Sequence, residues 1–200
     1  MTPWVSTDCV SDADLVALAR QGDPAAFGEL VDRHRAAVYR AALAALGSPA
    51  EAEDAAQDAF LLAYRRLASF RGDASFKTWL LTITWHQAIN RRRTLASVWR
   101  RMVTPKTEDE AESALAGFAA AGPSPEQAAE QEQLRQGIRR AIRALSPKLR
   151  DALLLAQAGD YSYEEIGAML RAPTGTIKWR VSEARRVVRK HLKEHGYGDV

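Results

Sequence analysis

Apolar residues recur along this chain at intervals of three and four, and that period constrains the fold more than any other feature of the sequence. Ile177, Val181, Ala184, Val188 and Leu192 fall on one stripe of a helix, as do Leu134, Ile138, Ile142 and Leu145. Strict apolar-polar alternation is nearly absent and β-branched residues are sparse, so strand signals are missing. The chain reads as all-α.

Turn and cap residues divide that pattern into helices. Asp12 or Asp14 is placed to cap a first helix, and Gly22-Asp23-Pro24 starts a second that ends at Gly47-Ser48-Pro49. A third runs from about Pro49 to Ala68, with Ala52, Ala55, Ala56, Ala59, Phe60, Ala63 and Leu67 on one face and Glu51, Asp54 and Asp58 on the other. A fourth, from about Ser75 to Arg93, carries Phe76, Trp79, Leu80, Ile83 and Trp85. The first body closes there, over residues 1–95.

Periodicity fails over residues 96–125, where Pro105, Gly117, Gly122, Pro123 and Pro125 accompany a run of acids. That segment is expected to be a flexible linker. A second body, residues 126–195, follows. In it Ser146-Pro147 supplies an N-cap and first helical residue, Gly159 a stop, and Ser162 with Glu165 a capping box. A turn at Arg171-Ala172-Pro173 leads to a last helix, capped by Thr174.

Charge is segregated along the same boundaries. Residues 1–106 carry +3, residues 107–132 carry −7 with no base at all, and residues 133–200 carry +7, within a formal net charge of +3. Two basic bodies joined by an acidic strip suit a protein that faces polyanions with its bodies and not with its tether. The strip reads either as a nucleic-acid mimic or as a solvated tether. The lone Cys9 excludes an intramolecular disulfide framework and a multi-cysteine metal site, which fits a reducing compartment. The opening MTPWVSTDCV lacks a basic then apolar leader, and no apolar run approaches the roughly 18 residues of a membrane span. A cytoplasmic, unexported protein without membrane insertion is expected.

Two places carry candidate chemistry. The last two helices have the spacing of a helix-turn-helix, and opposite the apolar stripe of the final one lie Trp179, Ser182, Arg186 and Lys190, flanked by Lys178 and Arg189. Their charge and hydrogen-bonding capacity suit phosphates and major-groove base edges. Residues 70–93 interleave aromatics with bases: Phe70, Arg71, Phe76, Lys77, Trp79, Trp85 and the Arg91-Arg92-Arg93 run. Such a mixture can stack unpaired bases while holding the backbone, although at helical spacing the aromatics also suit a core. A third pattern, His191-Leu192-Lys193-Glu194-His195, matches a zinc-binding H-x-x-E-H but has no downstream third ligand. No glycine-rich phosphate loop or nucleophile elbow occurs, so no metal, cofactor or catalytic residue is assigned.

The order of these pieces resembles the extracytoplasmic-function (ECF) group of bacterial RNA polymerase sigma factors. Asp14-Leu15-Val16 through Gly22-Asp23-Pro24-Ala25-Ala26-Phe27 is similar to the opening helices of that family. Glu51-Ala52-Glu53-Asp54-Ala55-Ala56-Gln57-Asp58-Ala59-Phe60 resembles the segment that grips a coiled coil of the polymerase largest subunit. Phe70-Arg71-Gly72-Asp73-Ala74-Ser75-Phe76-Lys77-Thr78-Trp79-Leu80 resembles the loop and helix that open and read the minus-ten element. Leu145-Ser146-Pro147, Tyr163-Glu164-Glu165-Ile166-Gly167 and Gly175-Thr176-Ile177-Lys178-Trp179-Arg180 resemble the helix-turn-helix that reads the minus-thirty-five element.

The resemblance implies a region 2-like bundle, a region 4-like helix-turn-helix and a non-catalytic initiation factor. Glu51, Asp54, Gln57 and Asp58 would dock on core RNA polymerase. Phe70, Arg71, Gly72, Asp73, Ser75, Phe76, Lys77, Trp79, Arg91 and Arg92 would meet minus-ten DNA as duplex and as melted non-template strand. Thr174, Thr176, Lys178, Trp179, Arg180, Ser182 and Arg186 would meet the upstream element. An anti-sigma factor is an expected partner, and a stress or envelope response an expected setting. Trp179, Glu183, Arg171 and Asn90 depart from the family pattern, so the promoter sequence does not transfer. A free-standing helix-turn-helix repressor is the rival reading, and a small metalloenzyme built on His191 and His195 a second.

Overall fold

Caps written into the sequence set the start of most helices. In a computed structural model, which describes residues 10–102, 125–159 and 161–197, α1 spans Asp12–Arg20, α2 Pro24–Leu46, α3 Pro49–Arg66 and α4 Phe76–Met102. The second group is α5 (Pro125–Ala144), α6 (Pro147–Gln157), α7 (Tyr163–Leu170) and α8 (Thr174–Glu194). The described residues contain no strand.

Asp23 caps α2 with Pro24 at its first turn, and Gly47, at φ 71°, ends that helix in the left-handed region. Ser48-Pro49 then starts α3. The cap of α1 is Ser11 instead of either aspartate: its hydroxyl accepts from the Asp14 amide at 3.2 Å while Asp14 Oδ2 accepts from the Ser11 amide at 3.3 Å. Asp14 is thus the far partner of a capping box. Thr174 is likewise the first helical residue of α8 and not its cap, which is Pro173 at φ −57° and ψ 147°.

The fourth helix, expected to end near Arg93, continues to Met102. No proline or glycine stands between Arg93 and Pro105, and Leu95, Val98, Trp99 and Met102 recur at helical spacing, so the helical signal continues past the arginine run. The rest of the expected linker, 103–124, and Cys9 lie outside the described residues.

Helices α1 to α4 share one core in which Leu30, Val38, Leu80, Leu81 and Trp85 are buried. Each such side chain contributes about 1.5–3 kcal/mol by leaving water. Alanines at 41, 42 and 45 of α2 and at 52, 55, 59 and 63 of α3 are all buried, a small-residue seam along the two helices. That seam turns Glu51, Asp54, Gln57 and Asp58 to the outer side of α3. In the second body α8 packs on α5, α6 and α7 through Ile177, Val181, Ala184 and Leu192. The bodies also touch, α7 lying on α4 and α6 on α2.

Candidate nucleic-acid interfaces

The outer face of α3 presents Glu51, Asp54, Gln57 and Asp58 in a row, with Asp54, Gln57 and Asp58 exposed. Arg91 of α4 lies across that row. Its Nε donates to Glu51, its Nη2 to Asp54 Oδ2 at 2.9 Å, and its Nη1 reaches Asp58 Oδ2 at 3.5 Å. The hydrogen bond to Glu51 and the surrounding carboxylates hold this guanidinium still further above its ordinary value, against the cost of desolvation. The row runs on into exposed Leu61 and Tyr64. Arg91, expected beside the aromatic loop, therefore belongs structurally to the acidic row.

The loop before α4 is held from three sides. Arg20 Nε donates to the Leu67 carbonyl at 3.0 Å and its Nη2 donates to that of Phe70, while its guanidinium lies 6.0 Å from the Phe70 ring centroid. Phe70 packs against Phe76 and Trp79, with ring centroids 5.9 and 5.2 Å away. Ser75 Oγ accepts from the Thr78 amide at 3.1 Å, starting α4 as an N-cap does. Between these anchors Arg71, Gly72, Asp73 and Ser75 are exposed, with Gly72 at φ 81°.

Phe76 is 3% exposed, so it is a core residue and not a stacking surface; a base could reach it only by unfolding the start of α4. Lys77 is salt-bridged to Glu165 of α7 at 3.0 Å. Arg92 donates to Asp151 of α6 at 3.1 Å and to the Ala45 carbonyl at 3.2 Å. Sequence reading missed Arg20, Glu165 and Asp151, whose partners lie 47 or more residues away along the chain. No local pattern announces such pairs.

The first helix of the helix-turn-helix starts as the sequence indicates. Ser162 and Glu165 form the capping box of α7, with bonds of 3.1 and 2.8 Å. Arg171 ends α7 at φ 48° and ψ 52°, a conformation that costs a residue with a Cβ about 1–2 kcal/mol. The following turn passes so close to α7 that a Cβ on Gly167 would sit 2.7 Å from the Ala172 carbonyl oxygen.

Lys178, Trp179, Ser182 and Arg186 of α8 face outward, and Trp179 is 62% exposed. That exposure leaves its ring and indole N–H open to a partner. Thr174, Thr176 and Arg180 are half-buried at the same end. Arg186 makes a two-pronged pair with Glu183 at 2.8 and 2.7 Å, which holds the Glu183 carboxyl below the usual range. The other histidines are structurally engaged: His34 Nε2 meets Asp12 Oδ2 at 2.6 Å and His86 Nδ1 meets the Thr82 carbonyl at 2.8 Å. His191 and His195 stack on each other at 4.1 Å, and among the described residues no group of three or more His, Cys, Asp or Glu could hold a metal ion.

Known proteins fit both bodies. Residues 30–98 match the family model of Sigma-70 region 2, and residues 135–187 match that of Sigma-70, region 4. The ECF RNA polymerase sigma-E factor of Escherichia coli is 38% identical over 185 residues, covering 90% of this chain and 93% of that protein. The chain belongs to the ECF RNA polymerase sigma factors.

The RNA polymerase sigma-H factor of Pseudomonas aeruginosa is 33% identical over 183 residues, covering 91% of this chain and 94% of the relative. Among solved structures, CnrH in complex with the cytosolic domain of CnrY is similar with a TM-score of 0.60 and 25% identity, covering 92% of this chain and 97% of that one. The sigma factor RpoE in complex with the anti-sigma factor NepR from Bartonella quintana gives 0.59 and 26%, covering 84% and 96%. As an ECF sigma factor the protein directs promoter-specific transcription initiation by core RNA polymerase, as a DNA-binding regulatory subunit. A free-standing repressor has no use for region 2, and that match disfavours it. No helix among the described residues is long and apolar enough to cross a membrane.

Proposed function

We propose that the three surfaces divide the work of initiation. The row Glu51, Asp54, Gln57 and Asp58 docks on core polymerase, whose reciprocal surface must then be basic. The loop Phe70, Arg71, Gly72, Asp73 and Ser75, with Lys77 and Trp79 at the start of α4, captures minus-ten DNA as it melts, Phe76 supporting it from the core. Extruding a base costs a few kcal/mol, and the exposed loop tip over a fixed aromatic floor offers stacking and edge hydrogen bonds that return it. Arg91 serves the acidic row, and Arg92 meets DNA only once released from Asp151.

On α8, Thr174, Thr176, Lys178, Trp179, Arg180, Ser182 and Arg186 read the minus-thirty-five element. The observation that carries this assignment is the open Trp179 on the outer face of a helix whose other face is fixed in the core. Lys178 and Arg186 hold phosphates and Trp179 contacts base edges. The factor contributes no catalytic group of its own, works in the cytoplasm where polymerase is, and serves a stress or envelope response. The two similar complexes with a CnrY domain and with NepR support an anti-sigma partner of its own.

The test is selection of a randomised upstream element by holoenzyme carrying wild-type protein or Trp179→Ser. A changed base preference at one position is the expected result. An identical consensus would place Trp179 against protein.

A further inference from the structure

The loop assigned to minus-ten DNA is framed by a helix that carries none of the residues assigned to DNA. Helix α1 lies ahead of the residues that match region 2 and gives Leu15, Val16 and Ala19 to the core. Its start is fixed to α2: Arg33 Nη1 donates to the Val10 carbonyl at 2.7 Å, and Asp12 meets Arg33 at 3.3 Å and His34 at 2.6 Å. Its end delivers Arg20, whose guanidinium donates to the carbonyls of Leu67 and Phe70 and lies beside the Phe70 ring. The far side of the loop closes the same circuit. Phe70 packs on Phe76 with centroids 5.9 Å apart and Phe76 on His34 at 5.7 Å, and His34 leads back through Asp12 to α1.

We propose that Arg20 is a positioning residue of minus-ten recognition: it fixes the entry of the loop, so that Arg71, Gly72 and Asp73 meet the melting strand already in place. This rests on the assignment of that loop to minus-ten DNA made above. Both hydrogen bonds of Arg20 go to main-chain carbonyls, so the hold does not depend on the side chains at 67 and 70, and it ends where the exposed tip begins. At the other end of the tip the Ser75 hydroxyl is engaged with Thr78 at the start of α4. A tip without its first anchor would have to be ordered at the moment of capture, and that cost would subtract from the stacking and hydrogen bonds that offset base extrusion. Arginine suits the task because its planar fork reaches two acceptors at once, which the point charge of lysine does less well.

The experiment compares holoenzymes carrying the full chain as wild type, Arg20→Ala, Arg20→Lys, or the loop-tip variant Arg71→Ala/Asp73→Ala, whose side chains are 85% and 83% exposed. Each transcribes a promoter library randomised in the minus-ten element, once as duplex and once as a template already melted there. Thermal unfolding and co-purification with core polymerase show that each chain is folded and docked. Arg20→Ala should flatten the base preference and lower transcription from duplex about five- to tenfold, the scale of two partly exposed hydrogen bonds from a charged donor. The melted template should restore its transcription to within about twofold of wild type, since opening no longer has to be driven by capture. Arg20→Lys, which keeps the charge and one bond, should fall between. An equal loss on both templates with the base preference intact marks a merely structural role and overturns the proposal. So does an unchanged preference in Arg20→Ala beside a flattened one in the loop-tip variant. If neither variant alters the preference, the loop does not read the element, and the positioning role falls together with the assignment beneath it.

Discussion

Arg91 Nη2 sits 2.9 Å from Asp54 Oδ2, so a side chain that ties α4 to α3 also tempers the acidic row of α3. Charge reversal at Asp54 or Asp58 would therefore disturb Arg91 as well as any partner. Neutral isosteres are cleaner. Asp54→Asn/Asp58→Asn should weaken binding to core polymerase at least about tenfold, a loss of roughly 1.4 kcal/mol, while thermal unfolding stays close to that of the unsubstituted protein. Co-purification of the variant with core polymerase at undiminished yield would remove the docking assignment.

The turn of the helix-turn-helix makes opposite demands on two neighbouring positions. Arg171 adopts φ 48° and gains from losing its Cβ, so Arg171→Gly should stabilise the protein by about 0.5–1 kcal/mol, after the entropy that glycine adds to the unfolded chain. Gly167→Ala should destabilise it by about 1–3 kcal/mol, because the new Cβ meets a backbone oxygen that cannot swing away. Urea unfolding of the two variants, monitored by circular dichroism, checks both signs.

Glu183 holds the guanidinium of Arg186, which is proposed to meet DNA. Removing the carboxylate in Glu183→Gln should strengthen binding of the upstream element by holoenzyme, and Arg186→Ala should weaken it with a shallower salt dependence. The pairing also sets a pH dependence. Since the folded Glu183 carboxyl titrates below its ordinary value, the pair's contribution is complete above that ordinary value and is lost only as the pH falls through the lowered one. Upstream binding should consequently show no Glu183-linked transition between about pH 5.5 and 8, in titrations at constant ionic strength.

Much of this fold was legible because its signals are local. The capping box of Ser162 and Glu165, the Asp23-Pro24 start and the stop at Gly47 each lie within a few residues of their effect. The end of α4 is less legible: the arginine run at 91–93 looks like a terminus, yet no proline or glycine follows it before Pro105 and the helix continues to Met102. The site was legible as residue types and less so as partners. Arg91 and Arg92 adjoin in sequence and leave α4 toward different helices, one to the acids of α3 and the other to Asp151. Which way each would point depends on helices packed from 37 and 59 residues away, and no spacing rule encodes that.

The most direct measurement is transcription in vitro with purified core polymerase, this protein and a library of randomised promoters, run beside a mobility-shift series on the selected duplexes at physiological salt. Transcripts should arise from promoters sharing an upstream and a minus-ten element, in a manner that depends on Asp54 and Asp58, while the protein alone binds those duplexes weakly. Nanomolar sequence-specific binding by the protein alone, with no transcript above core polymerase, would contradict the account.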